Sequence, residues 1–174
     1  MQKETIDLKQ FNKLPKFIAV EGPIGAGKTT LTRLLADSFS YDTFLEQPSE
    51  NPFLPDFYVN PSQAALGTQL FFLFQRVKQI QELKQDDIFS SNKVSDFLLD
   101  KDKLFAKATL SAEELKLYEQ IYDYLSIDLP TPDLVIYLQA ETKTLYERVM
   151  HRGIEMEKTI SFDYLELLNE TYKE

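Results

Sequence analysis

The chain has no cysteine, one histidine and only five glycines in 174 residues. Without cysteine there are no disulfides and no thiolate chemistry, which fits the cytoplasm. The single histidine, His151, reads as a surface residue. No run of about 18 apolar residues occurs, so no membrane span is expected. The opening residues Met1 to Lys9 mix charges and lack the apolar core of a signal segment. Positive charge is scarce as well: the net charge is −9, and the lysines and arginines are dispersed. A nucleic-acid phosphate backbone is therefore not the expected partner. Small-molecule chemistry remains.

Against that scarcity, three of the five glycines fall within six residues, at Gly22, Gly25 and Gly27. The apolar run Phe17 to Val20 suits a buried parallel strand. Gly22-Pro23-Ile24-Gly25-Ala26-Gly27-Lys28-Thr29-Thr30 follows at once, and Leu31, Leu34, Leu35 and Ala36 then recur as on a helix. Strand, glycine loop and helix in that order define a phosphate-binding loop. The glycines let the backbone curl so that successive N–H groups face an anion, at a helix N-terminus that also favours negative charge. Lys28 supplies a cation for the β- and γ-phosphates, and the Thr29 hydroxyl can ligate Mg²⁺. The pattern names a nucleoside triphosphate such as ATP; it does not name a reaction.

Residues 1–15 read as a polar lead-in, and 16–174 as one domain. The spacing predicts a strand over 17–20, a helix over 28–39 and a short strand over 43–45 ending at Glu46. Pro48, Pro52, Pro55 and Pro61 are expected to keep 47–61 mostly out of regular structure. A long helix then runs from Pro61 to Gln85, with Leu66, Leu70, Leu73, Val77 and Ile80 at steps of three and four. Val94-Ser95 reads as a third strand ending at Asp96. Ser111 and Glu114 form a capping box opening a helix that carries Leu115 to Leu125. After Pro130 and Pro132, residues 134–138 read as the clearest buried strand after the first. Residues 141–151 read as a helix interrupted at Arg152-Gly153, and Ser161 caps a last helix bearing Leu165, Leu168 and Tyr172. Strands alternating with helices imply an α/β fold, a P-loop-type parallel sheet covered by helices on both faces. The last helix reads as running uncapped to Glu174, with a further strand, the fifth, expected beyond it.

In an open parallel sheet, ligands lie beyond the carboxyl ends of the strands. Glu21, Glu46 and Asp96 fall at such ends. Glu21 reads as ordering the loop. Asp96 reads either as the acid that holds Mg²⁺ through its water shell or as a turn-forming aspartate. Glu46 is the candidate general base, against the reading of a solvated surface residue. No lysine or arginine lies between Arg33 and Arg76, whereas Asp37, Asp42, Glu46, Glu50 and Asp56 all do. An acceptor carrying its own phosphate would need cations there, so a neutral, hydroxyl-bearing acceptor is expected. Gln69 and Arg76 lie on nearly the same helix face, and Gln69 offers both a donor and an acceptor for a base edge. Phe57, Phe72 and Phe105 are candidate stacking surfaces. Arg148 and Arg152, one turn apart, suit either a lid over the donor phosphates or a solvated basic helix end.

Taken together, several stretches resemble the deoxyribonucleoside kinases, particularly bacterial deoxyadenosine and deoxyguanosine kinases. They are Glu21 to Thr30, Leu45 to Pro48, Asn51 to Leu54, Tyr58 with Thr68-Gln69 and Arg76, Ser95 to Ala106, Pro132 to Leu138, and Glu147-Arg148 with Arg152-Gly153. The resemblance implies ATP- and Mg²⁺-dependent phosphorylation of a deoxynucleoside 5′-hydroxyl in nucleotide salvage, by a homodimer. It implies Glu46 as base, Tyr58 and Glu157 on the 3′-hydroxyl, Gln69 reading the nucleobase beside Arg76, Phe105 or its neighbour stacking, and Arg148 and Arg152 on the donor phosphates. Two positions depart from it. Phe97 stands where many members carry an arginine for the 5′-oxygen and phosphate, and Ile154 where many carry a third lid arginine. Asp100 and Asp102 compete for the base-contacting aspartate. The base preference leans to deoxyadenosine and deoxyguanosine, with deoxycytidine possible. The competing readings are a thymidylate-type monophosphate kinase and a non-catalytic nucleotide-binding module.

Overall fold

The computed structural model describes residues 14–85, 92–98, 100–125 and 131–173. Four strands, β1 (Phe17–Glu21), β2 (Asp42–Phe44), β3 (Lys93–Ser95) and β4 (Leu134–Tyr137), form one sheet in the order β2-β3-β1-β4. Every pairing is parallel, with Ala19 opposite both Ser95 and Val135, and Phe44 opposite Ser95. All four carboxyl ends therefore open at one edge, and the residues just past them, Gly22, Glu46 and Asp96, meet there.

Seven α-helices flank the sheet among the described residues: α1 (Lys28–Phe39), α2 (Leu54–Val59), α3 (Pro61–Gln85), α4 (Asp100–Thr109), α5 (Ala112–Leu125), α6 (Thr142–Arg152) and α7 (Phe162–Thr171). The helix α1 packs Ala36, Leu31 and Leu35 onto Ile18, Val20 and Val94 of the sheet. Each such fully buried aliphatic side chain contributes about 1.5–3 kcal/mol. A second core joins α3, α4 and α5 through Leu73, Val77, Ala106 and Tyr118. A third seats Phe57 of α2 against Ala65 of α3, beside Tyr164 of α7. Both expected caps are present. Ser111 and Glu114 bond reciprocally, and Ser161 Oγ accepts from Tyr164 N at 3.1 Å.

Several expectations are corrected. The strand β2 lies one residue earlier than 43–45. Residues 47–61 are not irregular: they hold a 3₁₀ turn at Pro48–Glu50 and the helix α2. Pro55 falls in the first turn of α2, where its missing N–H leaves no bond unmade. The helix α4 has no counterpart among the expected elements, because the run from Asp100 to Lys103 is fully charged and shows no apolar period. The strand β4 is an edge strand among those described, paired only with β1, and Val135 is 46% exposed; it is not the second most buried strand. The last helix does not run through to Glu174, since α7 ends at Thr171. Residues 1–13 of the lead-in, Pro130 and Glu174 itself lie outside the described residues.

Candidate active site

The loop between β1 and α1 adopts the conformation that its glycines permit. Gly22 and Gly25 have φ of +147° and +84°, and a Cβ on them would lie 2.5 Å from Leu138 O and 2.7 Å from Leu145 O. Any side chain there would collide with backbone and be strained in φ as well. Ala26 N donates to Pro23 O at 3.1 Å and closes the turn. Lys28 Nζ reaches back into it, donating to Gly22 O at 2.8 Å and Pro23 O at 3.2 Å. Enclosure in the loop, helped by the nearby Lys101 ammonium, lowers the Lys28 pKa to about 8. Anionic phosphates arriving at that nitrogen would favour the charged form again.

Two carboxylates hold the strand ends together. Glu21 accepts from Gly22 N (3.0 Å), Leu98 N (2.6 Å) and the Tyr172 hydroxyl (3.0 Å), joining the loop, the β3–α4 connection and the end of α7. It orders the site, as its position in the sequence suggested. Asp96 accepts from the Thr29 hydroxyl at 2.5 Å and from Glu46 N at 2.8 Å. The backbone bond fixes where Glu46 leaves the sheet.

Glu46 projects into a cavity of about 190 Å³ at the carboxyl edge. One carboxylate oxygen accepts from Arg76 of α3, and the other from Lys101 Nζ of α4 at 3.0 Å. Arg76 also pairs with Asp102, and its guanidinium lies 5.2 Å from the Phe72 ring and 5.5 Å from the Phe97 ring. Burial alone would raise the Glu46 pKa, but Lys101 and Arg76 more than offset it and hold the group at about 2. The expectation of a cation-free acceptor region is thus corrected. The interval from Arg33 to Arg76 is empty of cations in sequence, yet Arg76 and Lys101 reach the same place from α3 and α4. Each is matched there by a carboxylate, so among the described residues no acceptor-side cation is left over for a second phosphate.

Most of the other residues singled out in the sequence line the same cavity: Ile24, Gly25, Gly27, Lys28, Thr29, Thr30, Phe57, Tyr58, Phe72, Gln69, Asp96, Phe105, Arg152 and Glu157. Gly22, Pro23 and Ala26 shape the loop behind them. Gln69 Nε2 donates to the Thr109 hydroxyl at 3.2 Å. Glu157 pairs with Arg152 at 2.6 Å. Burial, and then Glu157, push the Tyr58 hydroxyl up, so it stays protonated as a donor. Arg148 is not brought in; it is exposed on α6 and does not line the cavity. Of the two competing aspartates, Asp102 lines the cavity, while the Asp100 side chain lies outside the described residues. Sequence reasoning missed Lys101. Its signal was the four-residue spacing Phe97, Lys101, Phe105, which puts a lysine between two rings beside the departure at Phe97.

A glycine loop with an inward lysine, a hydroxyl–carboxylate pair at its exit and a carboxylate facing it across a cleft define a phosphate-loop phosphotransferase. The comparisons narrow this. The family pattern described as "Deoxynucleoside kinase" matches residues 18–174. The chain is 39% identical over 158 residues to a deoxyguanosine kinase of Bacillus subtilis, covering 90% of this chain and 76% of that one. It is 32% identical over 172 residues to the deoxyadenosine/deoxycytidine kinase of the same organism, covering 92% and 77%. A solved deoxyadenosine kinase from M. mycoides with dCMP and dCDP bound superposes with a TM-score of 0.80 at 30% identity, covering 90% of this chain and 81% of that one. The chain belongs to the deoxynucleoside kinase family, and it is an enzyme that phosphorylates deoxynucleosides on the 5′-hydroxyl at the expense of a nucleoside triphosphate.

Proposed function

We propose that ATP binds with its phosphates in the Gly22–Thr30 loop and that a purine deoxynucleoside, deoxyadenosine or deoxyguanosine, occupies the other end of the cavity. The observation that carries this is the pairing of every acceptor-side cation with a carboxylate, which favours an uncharged acceptor. Glu46 takes the proton from the 5′-hydroxyl as that oxygen attacks the γ-phosphorus. Its low resting pKa reflects the hold of Lys101 and Arg76, which weakens as the proton arrives on the carboxylate. Tyr58 and Glu157 bind the 3′-hydroxyl. Gln69 and Asp102, whose Oδ2 has no partner, meet the base edge, and Phe105 and Phe57 flank it. Lys28 and Arg152 face the donor phosphates; Arg148 joins them only if α6 closes over the loop.

Mg²⁺ fits the residues present. Thr29 and Asp96 give hard oxygen donors 2.5 Å apart at the loop exit. No group of three or more acidic, histidine or cysteine side chains forms an all-protein cage among the described residues, as expected for a cation held largely by substrate phosphates and water. When bound, the ion neutralises charge on the donor phosphates. Triphosphate binding draws further support from M. mycoides deoxyadenosine kinase structures with dATP and with dCTP.

Phe74, Leu117 and Tyr124 on α3 and α5 are exposed, which supports a homodimer through these helices, testable by sedimentation. No described helix is long and apolar enough to cross a membrane, and a cytoplasmic location is proposed on that and on the absence of cysteine. A panel of four deoxynucleosides, each with labelled ATP and Mg²⁺, tests the whole reading. Purine monophosphate products support it. Transfer to deoxynucleoside monophosphates instead would reject it.

A further inference from the structure

We propose that Lys101 is a catalytic cation that changes partner during the reaction, passing from the Glu46 carboxylate to the phosphoryl group arriving on the acceptor oxygen. This rests on the reading of Glu46 as the base. Four buried or nearly buried side chains form a closed set at the acceptor end: Glu46 and Asp102 are negative, Arg76 and Lys101 positive. In the resting enzyme they cancel. The two cations are not equivalent, however. Arg76 is shared between both carboxylates and flanked by the Phe72 and Phe97 rings, so Asp102 keeps it in place whatever happens to Glu46. Lys101 has Glu46 as its carboxylate partner, and its remaining surroundings are the faces of Phe97 at 5.8 Å and Phe105 at 6.0 Å.

During transfer the 5′-O–H bond breaks and its proton goes to Glu46. The bond from the 5′-oxygen to the γ-phosphorus forms, and the bond from that phosphorus to the bridging oxygen breaks, its electron pair leaving with ADP. Once protonated, Glu46 no longer neutralises Lys101. The cluster carries one net positive charge at the moment a dianionic phosphoryl group reaches an oxygen held against the same carboxylate. Lys101 is on a flexible four-carbon stem, lines the cavity and can follow. Lys28 stands on the donor bank, and the Lys101 ammonium is close enough to lower its pKa; both line the one cavity, so the moving phosphoryl group passes between them. The phenylalanine at position 97, where the family resemblance leads one to expect an arginine, leaves this task to a residue four positions on.

The test compares Lys101→Met, Lys101→Gln and Lys101→Arg with the wild-type enzyme. Binding of the deoxynucleoside and of its 5′-monophosphate is measured by calorimetry without ATP, alongside kcat and thermal melting. In Lys101→Met the monophosphate Kd is expected to rise about tenfold or more, the deoxynucleoside Kd to stay within about threefold, and kcat to fall about 10²–10³-fold. Lys101→Arg should recover much of both losses. Lys101→Gln serves if the methionine variant melts early. Equal changes in the two Kd values, or an unchanged kcat, overturn the proposal while leaving the kinase reading intact. A wild-type enzyme that phosphorylates none of the four deoxynucleosides removes the Glu46 reading itself, and Lys101 with it.

Discussion

At the loop end of the cavity, Lys28 donates hydrogen bonds to two backbone carbonyls and has no carboxylate within ion-pair distance among the described residues. At the opposite end, Arg76 and Lys101 are both tied to carboxylates. One end waits for an anion; the other has already neutralised itself and accepts a ligand without charge. A count of basic residues would not separate the two ends, because each has its cations. What separates them is the partner of the innermost cation: Lys28 in the loop has no carboxylate partner among the described residues, whereas Arg76 and Lys101 do, and only Arg152 at the loop end is paired, with Glu157.

The most severe way to break this contrast is Glu46→Gln. It removes the base and, at the same stroke, leaves the acceptor end positive. A fall in kcat of about 10³-fold is expected, together with tighter binding of a deoxynucleoside 5′-monophosphate than in wild type. Unchanged turnover, or weaker monophosphate binding, would erase the distinction between the ends. Next comes Arg76→Met, which strands Asp102 and half of Glu46 in a buried setting. Urea denaturation should show a loss of about 3–5 kcal/mol, part of it regained in Arg76→Met with Asp102→Asn.

Acid titration sharpens the same point. The Glu46 pKa is depressed from 4.5 to about 2 in the folded chain. Its pairing therefore stabilises the protein fully above about 4.5 and is lost as the pH falls toward 2. The stability gap between wild type and Glu46→Gln should narrow through that window, by up to about 3 kcal/mol. The loop end should behave in the other sense. With Lys28 held at about 8, ATP binding near pH 9 should take up a proton, visible as calorimetric heats that vary with the buffer. The smallest expected effect is from Tyr172→Phe, which removes one hydroxyl bond to Glu21 and costs about 1 kcal/mol in a thermal melt.

These ends also differed in how far they could be read from sequence. The loop is a contiguous stretch whose function follows from local order, and β1, α1, α3 and both caps were placed from periodicity and capping alone. The acceptor end is assembled from Glu46, Gln69, Arg76, Asp96, Lys101 and Asp102, on four separate elements or connections. All of its members but Lys101 could be named, but not who meets whom. The charge count over residues 33–76 was true along the chain and false in space, because α3 and α4 fold their own cations onto the end of β2. The choice between Asp100 and Asp102 needed the phase of α4, a helix whose first turn is too charged to show an apolar period. Arg148 and Arg152 look alike in sequence; in the fold Arg152 pairs with Glu157 at the cavity, while Arg148 is exposed on α6.

Glu21 carries one more consequence. Its carboxylate collects donors from residues 22, 98 and 172, so positions remote along the chain share a single anchor beneath the nucleotide loop. A fluorescent reporter on the outer face of α7 should therefore register triphosphate binding, and a perturbation at Tyr172 should be felt first as a weakened grip on ATP.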